Sequence, residues 1–178
     1  HFAFFRHPAA SHPGDKGHYL SFELTIPPPG LLPRRQVVRE LQESGVFWLG
    51  LTGGEPLLNK DLPEIVESAA AGCAVKLFTT GSTLTPRVAS DLKQAGLFSV
   101  SVSLDDWREQ EHDRTRVTPG AFREALRAIE IFRKTDGLQV GVSAVLSREM
   151  IVRDEVEALI DFLSGLGVHE AWLSEAKP

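Results

Sequence analysis

Five glycines in this sequence each lie where a segment with helical apolar spacing is expected to end. They are Gly45, Gly72, Gly96, Gly137 and Gly167. The position just after a helix favours a left-handed residue, which glycine adopts at little cost. A strand-like run follows each of the five glycines, and one more run precedes them. The six predicted strands are Tyr19–Ile26, Val46–Thr52, Ala74–Thr79, Ser99–Leu104, Gln139–Leu146 and Glu170–Ser174.

Between these runs the apolar spacing predicts helices over 61–71, 85–95, 121–135 and 154–166. Thr85 and Pro86 match the N-cap and first-turn preferences of such a helix. The regular alternation predicts an α/β fold with a parallel sheet. Of the two forms, open sheet or barrel, the unbroken run of six units favours a partial (β/α)6 barrel, in which chemistry gathers where strands end.

Composition narrows the classes of protein. The 178 residues carry a formal charge of −5 and a pI near 5.7, which argues against a nucleic-acid footprint. The single cysteine excludes a disulfide framework, and no apolar run reaches the roughly 18 residues of a membrane span. We therefore expect a cytoplasmic protein with a flexible leader over 1–18 and one core domain over 19–178. The abrupt ends suggest that this domain is truncated after its sixth strand.

The stretch LGLTGGEPLL at 49–58 ends a strand with two glycines, a glutamate and a proline. Gly53 and Gly54 allow positive φ and close approach of a ligand to the backbone. Glu55 offers a carboxylate that can accept hydrogen bonds from an ammonium, and Pro56 stiffens the exit. An ordinary βα turn explains the stretch equally well. A phosphate loop does not, since the G-x-x-x-x-G-K pattern is absent.

Six segments, in order over 19–178, resemble the radical S-adenosylmethionine (SAM) enzymes, especially the branch that matures peptides and cofactors. They read SFELT, FWLGLTGGEPLL, LFTTGSTLT, VSVSLDD, HDRTRVTPGAFREALRAI and WLSEAKP. The resemblance implies a barrel of this kind that holds a 4Fe-4S cluster and SAM. It also implies an oxidoreductase-like maturase that cleaves SAM to a 5′-deoxyadenosyl radical, takes hydrogen from a substrate, possibly a peptide, and receives electrons from a flavodoxin or ferredoxin.

The same resemblance assigns residues to SAM. Those matching the methionyl ammonium contact are Gly53, Gly54, Glu55 and Pro56, and those near the methionyl moiety are Thr79, Thr80 and Gly81. Those near the carboxylate, ribose and adenine are Ser103, Asp105, Arg116 and Val145, with Glu175 and Lys177 bordering the adenine or substrate side.

Structural alternatives stand beside several of these assignments. Asp105 and Asp106 could cap the next helix. Arg116 could pair with Asp113 on the surface, and Val145 could belong to the core; for these two residues the structural alternative is favoured.

One part of the family pattern is missing. A C-x3-C-x2-C segment should follow the first strand, because three thiolates hold the cluster. Here IPPPGLLPRR follows Thr25, and Cys73 reads as a buried core residue. Either the parent protein carries a cluster loop that this sequence lacks, or the chain is a cluster-less SAM- or nucleotide-binding module. The first is favoured, since a barrel strand rarely runs directly into three prolines.

Overall fold

The protein was analysed as a computed structural model, which describes residues 3–5, 20–25 and 34–175. The strands are β1 Ala3–Phe5, β2 Leu20–Thr25, β3 Val46–Thr52, β4 Ala74–Thr79, β5 Ser99–Ser103, β6 Gln139–Leu146 and β7 Glu170–Glu175. The helices are α1 Arg34–Glu43, α2 Leu62–Ala70, α3 Pro86–Gln94, α4 Glu109–Arg116, α5 Ala121–Arg133, α6 Arg148–Val152 and α7 Val156–Gly165, with a short 3-10 helix at Pro56–Leu58.

Within the described residues the strands form one sheet whose spatial order follows the sequence. From β2 to β7 every neighbouring pair is parallel. The predicted partial barrel of six parallel strands is confirmed, and each predicted strand boundary agrees to within one residue. The loop-like prediction for 1–18 does not hold at Ala3–Phe5, which pair antiparallel with β2.

Alternate positions of the central strands point to the helices and are apolar. The buried residues on this side of the sheet are Leu49, Leu51, Val75, Leu77, Val100, Val102, Val140 and Val142. They pack against the apolar stripes of the helices, which supply Ile65, Val66, Ala69, Ala89, Leu92, Ala125, Ile129, Phe132, Leu159 and Leu163. Because strand side chains alternate with a period of two, the other strand face is left for the barrel interior.

Three described helices and the 3-10 turn lie outside the predicted ones. They are α1, α4, α6 and Pro56–Leu58; α4 is mostly charged, with His112 its buried residue, so it lacks the apolar stripe that reveals a helix in sequence. No helix in the described part of the chain is long and apolar enough to cross a membrane.

The helix-end prediction is right at four glycines and wrong at Gly72. Gly45, Gly96, Gly137 and Gly167 have φ between +64° and +98°. Gly72 does not have positive φ; a Cβ there would lie 3.0 Å from the side-chain nitrogen of Gln42. That nitrogen donates to the carbonyls of Ser68 and Ala69. Gly72 is therefore explained by space for this contact between α1 and α2.

Gly81, just after β4, meets two constraints at once. Its φ is +82°, and a Cβ there would lie 2.4 Å from the Cβ of Ala128 on α5. Gly81 N–H also donates to the Thr79 hydroxyl at 2.9 Å. The loop that carries the end of β4 is thus pressed against α5, and this contact fixes the position of the strand end.

We expect Gly81→Ala to destabilise the protein more than Gly45→Ala. Both glycines have φ near +80°, but a Cβ at Gly45 meets no atom within 4 Å. Gly45→Ala should cost about 1–2 kcal/mol for the left-handed backbone, and Gly81→Ala roughly 1–3 kcal/mol more for the clash with Ala128. Urea unfolding measures both; equal losses would contradict the packing argument.

Candidate functional site

Glu55 ties the end of β3 to the end of β4. Its Oε1 accepts from the Thr79 hydroxyl at 2.6 Å and from Leu57 N–H at 3.0 Å. Its Oε2 accepts from Thr80 N–H at 2.7 Å and also from the Thr80 hydroxyl. Four donors fill the acceptor capacity of one carboxylate. Glu55 therefore positions the two strand ends, rather than presenting open oxygens to a ligand ammonium as its sequence suggested.

The two glycines before Glu55 leave their backbone open. Gly53 and Gly54 have φ of +102° and +49°. A Cβ at Gly54 would meet no atom within 4 Å. Pro56, in contrast, is buried at the start of the 3-10 helix. The surface offered at the end of β3 is thus main chain, with carbonyl oxygens as the available acceptors for an ammonium.

Asp105 organises the neighbouring strand ends, β5 and β6. Its Oδ1 accepts from Arg116 Nη2 and from Val145 N–H, both at 2.9 Å. Arg116 Nε lies 2.7 Å from Oδ2. Asp105 is nearly inaccessible, with 4% of its surface exposed. Arg116 thus meets this carboxylate through one hydrogen bond, from Nη2, and one close ion-pair contact, from Nε, which itself forms no hydrogen bond. The charge-assisted contact holds the two side chains together.

This network corrects three sequence alternatives. Arg116 pairs with Asp105 and not with Asp113. Val145 is 44% exposed and therefore not core. Neither Asp105 nor Asp106 caps α4, whose N-cap residue is Arg108 and which has no side-chain cap hydrogen bond; Asp106 instead accepts from Arg108 N–H at 2.8 Å, before the helix.

His112 and Asp113 hold the approach to this network. Nδ1 of His112, which is 1% exposed, accepts from Asp105 N–H at 3.1 Å. Burial lowers the pKa of His112, so the neutral ring with its proton on Nε2 is favoured. Asp113 accepts from Phe122 and Gly120 N–H groups, which lower its pKa, and so fixes the start of α5.

A polar cavity of about 260 Å³ lies beside Asp105 and Val145. Arg108 crosses its wall, paired with Asp106 at 2.9 Å and Glu155 at 3.0 Å. The hydrogen bond to Asp106 is the main reason that the pKa of Arg108 is raised. Its guanidinium also lies 4.3 Å from the Trp107 ring. One wall of the cavity is therefore formed by the ion pairs of Arg108 with Asp106 and Glu155.

The structure brings the predicted residues together in two groups. One is Glu55, Thr79 and Thr80; the other is Asp105, Arg116 and Val145. Ser103 is partly exposed and lies two residues before Asp105, at the end of β5. Glu175 is exposed at the end of β7, and Lys177 lies outside the described residues.

The residues present do not fit an iron–sulfur cluster. The sequence has one cysteine, Cys73, which lies before β4 at the opposite end of the strand from Thr79. It is buried, its thiol is 3.2 Å from the Val46 carbonyl oxygen, and burial raises its pKa. Within residues 3–5, 20–25 and 34–175, no three His, Cys, Asp or Glu side chains form a group that could hold a metal. The prediction that Cys73 is a core residue is confirmed; Ile26 and the prolines after it lie outside the described residues.

The model of the Radical SAM superfamily matches residues 21–163 of this chain. The chain belongs to the radical SAM superfamily. The resemblance to this family in the GGEP, SLDD and HDR segments is thus confirmed.

Relatives within the radical SAM superfamily include proteins of two kinds. The chain is 40% identical over 103 residues to the AdoMet-dependent heme synthase of Methanosarcina barkeri, covering 57% of this chain and 30% of that protein. It is 34% identical over 136 residues to the mycofactocin maturase MftC of Mycobacterium tuberculosis, covering 74% and 34%. The chain thus spans about a third of the length of these curated relatives.

Among solved structures, Streptococcus suis SuiB bound to the precursor peptide SuiA superposes with a TM-score of 0.63 at 14% identity. The match covers 80% of this radical SAM chain and 32% of SuiB. At that identity the likeness shows a shared fold.

Sequence reasoning missed the inward-facing polar residues of the barrel. Lys76, Ser99, Ser101 and Glu170 lie on predicted strands, but none of them was singled out as a candidate site residue. A signal was present in SVSVS at 99–103, where serine recurs with the period of a strand face.

We expect the stability of the protein to fall below about pH 6.5 because of His112. Its pKa is lower in the folded state, so the unfolded state binds the proton first as pH drops. The contribution of neutral His112 to the free energy of unfolding is complete above the pKa of the unfolded state. It is lost as pH falls towards the pKa of the folded state, with a slope of at most about 1.4 kcal/mol per pH unit. Urea unfolding between pH 7.5 and 5.5 measures it. His112→Asn, whose amide oxygen can accept from Asp105 N–H, should show a smaller slope; an unchanged slope would assign the effect elsewhere.

Proposed function

We propose that this chain is the SAM-binding core of a radical SAM enzyme, in which reductive cleavage of SAM yields a 5′-deoxyadenosyl radical that takes hydrogen from a substrate. The observation that carries the proposal is that two hydrogen-bond networks lie at one rim. One joins Glu55 to Thr79 and Thr80, and the other joins Asp105 to Arg116 and Val145. Both lie at the carboxyl ends of parallel strands, where ligands of such folds bind.

Each group then has a specific task towards SAM. The carbonyls of Gly53 and Gly54 accept from the methionyl ammonium, while Glu55 keeps that turn against β4. Ser103 donates to the carboxylate or ribose. Asp105 and Arg116 neutralise each other and fix the β6 end, so that exposed Val145 offers an apolar surface to adenine. Arg116 is committed to Asp105, and its action on the SAM carboxylate is through positioning.

The two residue groups at the rim contain no cysteine that could hold a 4Fe-4S cluster. The roles proposed for them are limited to binding and positioning SAM. The single cysteine leaves both sequence hypotheses open: a cluster loop carried by the parent protein after Thr25, or a cluster-less SAM- or nucleotide-binding module. Sequencing the gene across the codons for Thr25 and Ile26 separates them directly. Anaerobic iron–sulfide reconstitution of the full-length product gives a second test, since no charge-transfer absorption would exclude the enzyme.

The substrate is proposed to be a peptide, with a maturase role. Support comes from the relative named as a mycofactocin maturase and from SuiB, whose structure contains a precursor peptide. A flavodoxin or ferredoxin is the proposed electron donor, by family resemblance. The acidic charge and the single cysteine support a cytoplasmic protein without a nucleic-acid partner.

We expect Asp105→Asn to weaken SAM binding by about 10- to 100-fold. The amide oxygen can still accept from Val145 N–H, but the change leaves Arg116 without its counter-charge and turns an amide group towards the guanidinium, and hydrogen bonds to charged groups contribute about 1.5–3 kcal/mol each. Glu111→Gln is the matched control, since Glu111 pairs with exposed Arg114 on the same side. Isothermal titration with SAM measures both, beside circular dichroism to confirm folding. SAM affinity unchanged in folded Asp105→Asn would refute the proposed site.

A further inference from the structure

The concave face of the half-barrel is unusually polar. Barrel interiors are typically filled by bulky branched side chains. Here the inward positions of β4 to β7, alternating with the helix-facing residues, include Lys76 and Phe78 on β4, Ser99, Ser101 and Ser103 on β5, Gly141 and Ser143 on β6, and Glu170 and Trp172 on β7. Such a face suits a polar ligand better than a packed core.

Lys76 crosses this interior. Its side chain is fully buried, yet its ammonium is paired with Glu170 on β7, three strands away in the sheet. The ammonium also lies 4.3 Å from the Trp172 ring, and Trp172 Nε1 donates to the second Glu170 oxygen at 2.9 Å. A Cβ on Gly141 would lie 2.6 Å from Glu170 Cγ. Glu170 therefore lies flat over β6, in space that Gly141 leaves free.

Two serine hydroxyls lie along the path of this ion pair. Ser99 stands beside Lys76 in the strand register, and Ser101 stands beside Gly141. Both residues are at most 1% exposed. Neither hydroxyl has a hydrogen-bond partner among the described residues. A buried polar group left without a partner costs about 1–3 kcal/mol, so a ligand that supplied one would gain that energy.

Lys76, Ser99 and Ser101 each have at least one hydrogen-bond donor that no described acceptor uses. An ammonium has three N–H donors, of which Lys76 uses one on Glu170. The two serine hydroxyls can donate as well. Glu170 already accepts from Lys76 and Trp172, and although partial burial raises its pKa, these bonds outweigh burial and lower it. Glu170 serves one of the three Lys76 donors and neither serine hydroxyl, and a second carboxylate is an acceptor that matches an ammonium with two hydroxyls.

Glu170 can exchange with such a ligand. A buried ammonium needs a counter-charge at all times. Glu170 is 36% exposed in its side chain and Trp172 is 45% exposed, both on β7. Glu170 can therefore turn into water as an incoming carboxylate takes its place, which leaves the interior charge balanced.

We propose that Lys76, Ser99 and Ser101 form a carboxylate-binding subsite on the floor of the barrel, with Glu170 as its resident counter-ion. The ligand is a carboxylate-bearing substrate, an identification that rests on the proposed function. Lys76 lies three residues before Thr79, which is about 10 Å along the strand. A substrate anchored here by its carboxylate would extend about that distance towards the rim.

The test is replacement of the resident carboxylate by a free one. Glu170→Ala removes the counter-ion and leaves space over Gly141. Titration of the full-length protein with sodium acetate should raise its Tm by several degrees more than sodium chloride of equal ionic strength, while neutral acetamide has no such effect. SAM is left out, so this result is independent of the proposed cofactor site.

Two further variants locate the effect. In Lys76→Met/Glu170→Ala the acetate effect should vanish, and in Ser99→Ala/Ser101→Ala/Glu170→Ala it should need at least threefold more acetate. Equal responses to acetate and chloride, or an acetate effect that survives Lys76→Met, would overturn the subsite and leave Lys76–Glu170 as a tie across the barrel. If Glu170→Ala does not fold, Glu170→Gln, which keeps the shape without the charge, is titrated in the same way and judged by the same outcomes.

Discussion

The hydrogen bonds from the Glu55 carboxylate to the end of β4 fix the candidate site. Parallel pairing places strand ends at one rim, but it does not set the path of the chain beyond them. Glu55 sets that path by accepting from Thr79, Thr80 and Leu57 together. Gly53 and Gly54 can then remain open main chain, because the side chain beside them is fully engaged.

The rim therefore divides positioning and contact between different atoms. Glu55, Asp105 and His112 are satisfied within the protein, and each holds a neighbouring strand end or loop. The surfaces left for a ligand are the glycine backbone, Ser103 and Val145. This division explains how charged residues of a recognisable motif can lie at the rim without presenting free charges to a ligand.

The floor of the barrel follows a different principle. The helix-facing residues Val75, Leu77, Val100 and Val102 of β4 and β5 are apolar, whereas the interior side carries a buried ammonium and two hydroxyls. An ion pair buried this deeply is weak evidence for stability, since its desolvation offsets much of its attraction. Its position, beside two buried serine hydroxyls without a hydrogen-bond partner among the described residues, supports the proposed recognition of a ligand.

The sequence by itself determined the alternation of elements, the parallel sheet and the motif positions, because helix and strand periods and terminal glycines are local properties. It determined the family through GGEP, SLDD and HDR for the same reason. Only the tertiary structure decided which partners these residues have: Arg116 with Asp105 across 11 positions, Glu55 with Thr80 across 25, and Lys76 with Glu170 across 94. Such pairings depend on strand register and barrel curvature, which no short stretch of sequence encodes.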